Sequence, residues 1–264
     1  MIIALANHKG GTGKTTSTIN IGRALSTMGK KILLVDLDPQ GNLSYSLGLG
    51  NEANTIIDLL SGNKTFNETA CESNGMHIIP SNTGLNEYAA RFEKTKDAVH
   101  ALKKTLAPIR SLYDFILIDC PPAMSVYTLN ALNAAEGVII PLLLEVLSVQ
   151  GLDQVLREIS KIQKTTNPDL QIIGALGTIV NESRRLSSEV LEYIRDNYKL
   201  HVFNNHVRNN VKAAEAPSFA ATVIDYAPTS TSARDYISIA QELLKILEYH
   251  VASSEQSRVH QPSE

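Results

Sequence analysis

The sequence of 264 residues predicts one α/β domain with a doubly wound, mostly parallel sheet and helices on both faces. Short apolar runs alternate with amphipathic stretches along almost the whole chain, as they do where helices connect parallel strands. The apolar runs are nearly continuous, which is typical of strands buried on both faces. No long linker or internal repeat divides the chain, and its length suits a single core.

Six apolar runs are predicted to be strands, and six stretches with apolar residues three and four positions apart are predicted to be helices. The predicted strands are residues 2–6, 31–36, 77–80, 115–119, 137–142 and 171–180. The predicted helices are residues 15–28, 85–107, 126–135, 149–165, 187–198 and 232–250. Residues 48–75 are rich in Asn, Gly, Ser and Thr, so surface loops are expected there around one short helix, residues 55–61. A polar, disordered tail is expected over residues 251–264.

Charge and cysteine content exclude several classes of protein. The chain has 24 basic and 27 acidic residues, a net charge of −3, so no overall basicity indicates a nucleic-acid partner. Its two cysteines, Cys71 and Cys120, lack metal-ligand spacing and are too few for a secreted disulfide scaffold. No signal peptide is visible, and the longest apolar run, residues 138–147, is too short to span a bilayer. A cytoplasmic protein is therefore expected.

The motif KGGTGKTT at residues 9–16 follows the first predicted strand and opens the first helix, as a phosphate-binding loop does. Its glycines allow a tight turn that aims main-chain N–H groups at one anion. Lys14 is expected to contact the β- and γ-phosphates of a nucleotide, and the Thr15 hydroxyl to bind Mg2+. The predicted nucleotide-binding residues of the loop are Lys9, Gly10, Gly11, Thr12, Gly13, Lys14, Thr15 and Thr16.

Two predicted strands end in acidic residues. VDLDPQGN, residues 35–42, places Asp36 and Asp38 on one face of an extended chain, so Asp38 could orient an attacking water and Asp36 could support Mg2+ or the loop. The alternative is that both are capping and turn residues. FILIDCPP, residues 115–122, has the form of a Walker B strand, in which Asp119 would hold Mg2+ through a water.

Lys9 needs a separate explanation, because Lys14 already occupies the place beside the phosphates. If two subunits meet with nucleotides between them, Lys9 could neutralise charge on the phosphates of the partner, as an arginine finger does in trans. Lys9, Lys14 and Asp38 would then be the catalytic residues. A solvated lysine at the edge of the loop is the alternative.

These motifs, together with TLNAL (residues 128–132), QGL (150–152) and AEAPSF (214–219), resemble the ParA branch of the ParA/MinD deviant Walker ATPases, in particular its Soj-like type. That family comprises the partition ATPases of bacterial chromosomes and plasmids. The resemblance covers residues 1–250, the expected ATPase domain. It implies a P-loop NTPase fold, slow and partner-stimulated ATP hydrolysis, an ATP-bound sandwich homodimer with Lys9 in trans, Mg2+ on Thr15 and a hydrolytic role for Asp38.

The resemblance also implies partners. The ATP-bound dimer is expected to bind double-stranded DNA without sequence preference, on the nucleoid, and a ParB-type centromere-binding protein to stimulate hydrolysis and release. Six basic and three acidic residues lie between positions 184 and 212, and a basic patch doubled by dimerisation would bind DNA in a salt-sensitive way. By resemblance, Arg184, Arg185 and Lys212 fall near DNA-contacting positions. An ordinary solvated helix face is the alternative for Arg195 and Lys199.

Two features depart from the family pattern. Where the family has an IPR-like element near the adenine, this chain has His206, Val207 and Arg208, so the adenine contacts are left open between Val207, Arg208 and Asn181. Asn181 could read the adenine edge or be an ordinary turn residue. Larger relatives carry a DNA-reading domain before the loop, whereas here the loop starts at residue 9, so operator binding is not expected.

Three other functions use the same motifs. A MinD-like positioning ATPase needs a C-terminal amphipathic helix, whereas this chain ends in a packed helix and a polar tail, so no stable membrane association is expected. An iron-protein-type reductase needs cysteines that share a cluster between subunits, and no such arrangement is visible. A small-molecule synthetase or kinase needs a second substrate pocket, which no motif marks.

Overall fold

The computed structural model describes residues 1–95, 97–181 and 185–259, built around one seven-stranded sheet with the order β3-β4-β2-β5-β1-β6-β7. The strands are Ile2–Leu5 (β1), Ile32–Asp36 (β2), Cys71–Ser73 (β3), Met76–Ile79 (β4), Phe115–Asp119 (β5), Gly137–Leu143 (β6) and Gln171–Thr178 (β7). All neighbouring strands run parallel except β3, which pairs antiparallel with β4. The predicted mostly parallel sheet is confirmed.

Helices cover both faces of the sheet. They are Lys14–Thr27 (α1), Asn42–Ser46 (α2), Ile56–Ser61 (α3), Phe66–Thr69 (α4), Gly84–Phe92 (α5), Ala101–Leu106 (α6), Val126–Ala134 (α7), Val146–Thr165 (α8), Arg185–Asn197 (α9), Val211–Glu215 (α10), Val223–Tyr226 (α11) and Thr231–Val259 (α12). One buried apolar cluster joins the sheet to α1 and α12, and a second joins the opposite face to α5, α6, α7, α8 and α9. Strands buried on both faces explain the continuous apolar runs.

The single helix expected over residues 85–107 is wrong. α5 ends at Phe92, and Asp97 has a φ of 60°, a left-handed conformation that interrupts an α-helix. A short 3-10 turn follows, and α6 begins only at Ala101. The apolar spacing continues across the break because Phe92 and Leu102 pack into the same cluster.

Residues 48–75 hold more regular structure than the surface loops that the composition predicts. They contain α4 and the edge strand β3 in addition to the expected α3. The turn between β3 and β4 is formed by Asn74 and Gly75, whose φ angles of 49° and 68° are both positive. An Asn-Gly pair is a strong hairpin signal for this reason, so the sequence does contain the information that predicts this strand.

The last helix is longer than predicted. α12 continues past residue 250, where a disordered tail was expected, and ends at Val259. Residues 260–264 of the expected tail lie outside the described residues. A search of the described helices finds none that is long and apolar enough to cross a membrane.

The strand register brings the sequence motifs to one edge of the sheet. Asp119 of β5 lies beside Asp36 of β2 on one side and beside Leu5 of β1 on the other. The loops that follow these three parallel strands therefore open at the same carboxyl edge, where ligands bind in such sheets.

Asn130 of α7 fastens the interrupted helical segment to the core. Its side chain is fully buried, accepts a hydrogen bond from Leu102 N at 3.0 Å, and donates to Ala98 O at 2.7 Å and Val126 O at 2.8 Å. We expect Asn130→Ala to lower the free energy of unfolding by about 1–3 kcal/mol, because buried main-chain groups lose their partners. Equilibrium urea unfolding measures this change.

The matched control is Asn197→Ala. The Asn197 amide also donates to a main-chain carbonyl, that of Tyr193 at 2.9 Å, but in an exposed setting at the end of α9. This change is expected to stay within about 0.5 kcal/mol of the intact protein. Equal losses in the two variants would contradict the role given to Asn130.

Candidate nucleotide-binding site

Residues 9–16 form a loop that connects β1 to α1. Gly13 immediately precedes the helix with a φ of 74°, a left-handed conformation that glycine adopts without steric cost. A Cβ at this position would also lie 3.4 Å from Cβ of Thr178. Among the described residues, no side chain caps this helix terminus. Its N–H groups face a pocket of about 370 Å³, lined by residues 10–16 with Asp38, Gln40, Asn42, Ser46 and Pro122.

Lys14 is the positive charge of this pocket. Its side chain is buried, and Nζ donates a hydrogen bond to the main-chain oxygen of Lys9 at 3.1 Å, so the lysine bridges the loop. Burial lowers the pKa of Lys14, while the nearby Asp119 acts in the opposite direction. The arrangement holds a cation at the helix terminus, as phosphate binding requires.

Two carboxylates lie beneath the loop, and one of them fits a magnesium site. Asp119 Oδ2 accepts a hydrogen bond from Thr15 Oγ1 at 2.7 Å, and both Asp119 and Asp36 are fully buried. Burial, reinforced by the charge of Asp36, raises the pKa of Asp119 well above its ordinary value. A bound cation would favour the ionised form of Asp119. One hydroxyl and one carboxylate suit Mg2+, which keeps several waters. The described residues contain no group of three or more His, Cys, Asp or Glu that could hold a metal ion.

Asp36 has the contacts of a residue that organises the following loop. Oδ2 accepts hydrogen bonds from Ser44 N at 2.9 Å and Ser44 Oγ at 2.7 Å, and Oδ1 accepts one from Asp38 N at 3.1 Å. Burial raises the pKa of Asp36 to about 6 against the opposing effect of these bonds. Of the two predicted roles, these contacts favour support of the loop over direct coordination of Mg2+.

Asp38 lies in the phosphate pocket itself. It lines the same pocket as Lys14, and its Oδ1 accepts a hydrogen bond from Gln40 N at 2.9 Å. The side chain is largely buried, at 7% exposure. This position beside the pocket is the one that an acid or base acting on water needs.

Lys9 is held outside the phosphate pocket. Its Nζ lies 3.3 Å from Oε2 of Glu145, the residue that precedes α8, and both side chains are exposed. Its main-chain N–H donates to Oδ1 of Asn7 at 3.0 Å, and the Asn7 amide in turn donates to Pro141 O at 2.6 Å. Lys9 and Lys14 therefore have different surroundings, although both belong to one loop.

A second pocket of about 150 Å³ adjoins the first and shares Gly13 and Thr16 with it. Val207 and Arg208, two of the three residues considered for adenine, line it together with Tyr236. The Arg208 guanidinium is anchored by Asp235, 2.6 Å away. The third residue, Asn181, lines a neighbouring pocket of about 220 Å³ with Leu144, Glu145 and Leu186. Asn181 therefore lines a different pocket from Val207 and Arg208, although its neighbour Val180 pairs with Arg208.

No sequence motif predicts a role for Thr178, which lies at the end of β7. Its hydroxyl lies 2.8 Å from Thr12 O and 3.1 Å from Leu142 O, so it ties the phosphate-binding loop to β6 and β7. The next residue, Ile179, has a φ of 53°, which is rare for a β-branched side chain. A single threonine at the end of a strand carries no distinguishing signal in the sequence.

The candidate DNA-binding residues lie beyond β7, and both described ones form ion pairs. Arg185, at the start of α9, lies 3.0 Å from Glu189, and Lys212 of α10 lies 2.8 Å from Glu215. The Lys212 ammonium also lies 5.7 Å from the centre of the Tyr226 ring. Arg184 lies outside the described residues. The starts of α9 and α10 flank two pockets that share Ile179 and Asn209, so they lie on the same edge of the molecule.

The family model and the relatives that match this chain indicate one protein family. A family model described as an AAA domain matches residues 1–172. The chromosome-partitioning ATPase Soj of Treponema pallidum is 38% identical over 244 residues, which cover 92% of this chain and 96% of the relative. The chromosome partitioning protein ParA of Caulobacter vibrioides is 35% identical over 249 residues, covering 92% of this chain and 93% of the relative.

Solved structures agree on the fold. A Mycobacterium smegmatis protein named cobyrinic acid a,c-diamide synthase, solved with a bound ATP analogue and magnesium, has a TM-score of 0.77 at 36% identity, covering 88% of this chain and 97% of that chain. The McdA protein of Cyanothece has a TM-score of 0.81 at 22% identity, covering 92% and 98%. With the loop, the two buried carboxylates and the parallel sheet in place, the chain belongs to the ParA/Soj family of chromosome-partitioning P-loop ATPases.

Proposed function

We propose that this protein is a DNA-partition ATPase whose ATP-bound homodimer binds double-stranded DNA without sequence preference and leaves it after hydrolysis. Its cofactors are ATP and Mg2+, and it works in the cytoplasm on the nucleoid. Hydrolysis is slow until a ParB-type centromere-binding protein stimulates it. The partition relatives at 35% and 38% identity support this function.

The position of Lys9 is the observation that carries the proposal. A lysine of the phosphate-binding loop that pairs with Glu145 at 3.3 Å, outside its own phosphate pocket, is available to the phosphates of a second subunit. Exposed ion pairs contribute only about 0–1 kcal/mol, so exchanging Glu145 for a phosphate costs little. ATP held between two subunits would receive Lys14 from one chain and Lys9 from the other, which makes dimerisation depend on the nucleotide.

Each residue of the pocket would have a separate task in ATP hydrolysis. Lys14 and the N–H groups at the start of α1 bind the phosphates, and the second pocket at Val207 takes the base. Thr15 and Asp119 would hold Mg2+, which neutralises phosphate charge when bound. Asp38 orients the attacking water through its carboxylate, and Lys9 of the second subunit neutralises charge that develops on the γ-phosphate.

The edge of the molecule beyond β7 carries the residues that would bind DNA. Arg185 and Lys212 each hold a carboxylate of their own helix, and DNA phosphates would replace these carboxylates. Such contacts fix no base sequence, so binding is salt-dependent and sequence-independent. A dimer presents the edge twice, which strengthens binding only in the nucleotide-bound state.

The name of the M. smegmatis relative raises a synthase as the competing function. Such an enzyme must bring a second substrate to the γ-phosphate. A pocket of about 550 Å³ exists, but it is lined by Ile32, Met76 and Tyr113, at the amino ends of β2, β4 and β5. The phosphate-binding loop lies at the carboxyl edge of the same sheet, so this pocket cannot deliver a substrate to it. This pocket therefore gives no support to a synthase function.

DNA binding is expected to require ATP. With ATP and Mg2+ the protein should shift double-stranded DNA of any sequence in a gel, whereas with ADP or no nucleotide it should not. Lys212→Ala should weaken binding about 3- to 30-fold for all sequences and reduce its salt dependence, because one phosphate contact per chain is lost. Lys164→Ala, which removes an exposed lysine near the end of α8, is the matched control. Equal DNA binding in all three nucleotide states would rule out the switch.

Substitution of Asp38 is expected to impair ATP hydrolysis, whereas substitution of Lys14 is expected to impair nucleotide binding. Asp38→Ala should retain ATP and accumulate dimers, with hydrolysis reduced about 100-fold or more because the water loses its orienting group. Lys14→Ala should weaken nucleotide binding about 10- to 100-fold, since a charged contact to phosphate is lost. Calorimetric ATP titration, size exclusion and phosphate release separate the two effects. Asp169→Ala, in an exposed turn before β7, is the control, and a normal hydrolysis rate in Asp38→Ala would disprove the assignment of Asp38.

Action of Lys9 across the interface is tested by complementation. Lys9→Ala and Asp38→Ala should each be inactive alone. A mixed dimer contains one complete site, with Asp38 from the Lys9→Ala chain and Lys9 from its partner. Equimolar mixing should therefore restore about a quarter of the intact rate in a symmetric dimer. If Lys9 acted on the ATP of its own chain, no mixed site would be complete and mixing would restore nothing.

A further inference from the structure

The main chain of Asp38 is held from two sides by buried side chains. Its N–H donates to Oδ1 of Asp36 at 3.1 Å, and its carbonyl oxygen accepts a hydrogen bond from Oγ of Ser81 at 2.9 Å. Asp36 ends β2, while Ser81 follows β4, the neighbouring strand in the sheet. The main-chain N–H and C=O groups of Asp38 are therefore both fixed relative to the sheet.

Ser44 connects these two supports. Its hydroxyl donates to Oδ2 of Asp36 at 2.7 Å and accepts a hydrogen bond from Ser81 N at 2.8 Å. A serine hydroxyl has one proton, so these two bonds use it as donor once and as acceptor once. Asp36, Ser44, Ser81 and the Asp38 main chain thus form a closed ring of hydrogen bonds.

The ring is buried and tightly packed. Asp36 and Ser44 have no exposed surface, and Ser81 is only 3% exposed. Gly41, in the same loop as Asp38, has a φ of 62°, and a Cβ there would lie 2.9 Å from the main-chain oxygen of Ser81. The loop after β2 therefore lies directly on the chain after β4. A missing hydroxyl in such a setting leaves a buried group without its partner.

We infer that Ser44 and Ser81 are positioning residues for ATP hydrolysis, which fix the main chain of Asp38 so that its carboxylate stays aligned with the γ-phosphate. This inference rests on the proposed role of Asp38. Asp38 and Gln40 line the phosphate pocket, whereas Ser44 and Ser81 are not among the residues that line it in the described structure. Loss of either hydroxyl therefore misplaces Asp38 without removing a contact to ATP.

The expected effect is on rate and not on affinity. Ser81→Ala and Ser44→Ala should each lower the single-turnover rate of ATP hydrolysis about 10- to 100-fold, because small misplacements of a reacting group have effects of this size. The dissociation constant for ATP should change by less than about twofold, since a residue that acts only in the transition state leaves ground-state binding unchanged. An affinity loss as large as the rate loss would overturn the inference.

Ser73→Ala is the matched control for loss of stability. The Ser73 hydroxyl also donates to a main-chain oxygen, that of Leu47 at 3.0 Å, which follows the end of α2. Ser73 therefore supports α2, the helix that contains Ser44, without contacting the ring around Asp38. We expect both Ser73→Ala and Ser81→Ala to lower Tm, and a reduced rate only for Ser81→Ala. Equal rates in these two variants would overturn the inference.

A double variant separates positioning from a merely structural role. In the Asp38→Ala background, Ser81→Ala should lower the hydrolysis rate no further, because the group that it positions is already gone. Independent, multiplicative losses would show that Ser81 acts by another route. Full activity in Asp38→Ala alone would instead disprove the proposed function of Asp38. Loss in Asp38→Ala together with full activity in both serine variants would disprove only the positioning role.

Discussion

Two fully buried carboxylates, Asp36 and Asp119, lie side by side at the carboxyl edge of the sheet, and the rest of the site is arranged around them. Buried carboxylates of like charge are unfavourable unless cations and hydrogen bonds compensate them. Lys14, the Thr15 hydroxyl and the N–H groups around Ser44 supply part of that compensation. The remaining demand for positive charge makes this position suited to a cation beside the loop between β1 and α1.

The pocket depends on strands that are distant in the sequence. Thr178 ties the phosphate-binding loop to β7, while Ser81 ties the Asp38 loop to β4, so supports come from strands on both sides of the central β1 and β5. A rigid sheet keeps these supports at fixed spacing. The predicted nucleotide-binding residues therefore lie on loops that are fastened to the sheet at several points.

The three described cations that the family resemblance links to a second subunit or to DNA share one property. Lys9, Arg185 and Lys212 each lie within 3.3 Å of a carboxylate at the surface of the same chain. Exposed pairs of this kind are weak and are screened by salt. Each of these cations therefore has a carboxylate of its own chain as a partner in the described structure.

Burial periodicity and motifs are local properties, so the sequence predicts the parallel sheet, the covering helices, the phosphate-binding loop and the carboxylates Asp38 and Asp119. The break at Asp97, the partner of Lys9 and the supports Ser44, Ser81 and Thr178 follow from the tertiary structure alone. Serine and threonine hydroxyls occur throughout the chain, and Ser81 meets Ser44 and Asp38 across 37 and 43 residues. Which hydroxyls matter is settled by strand order and register, since these bring distant residues within hydrogen-bonding distance.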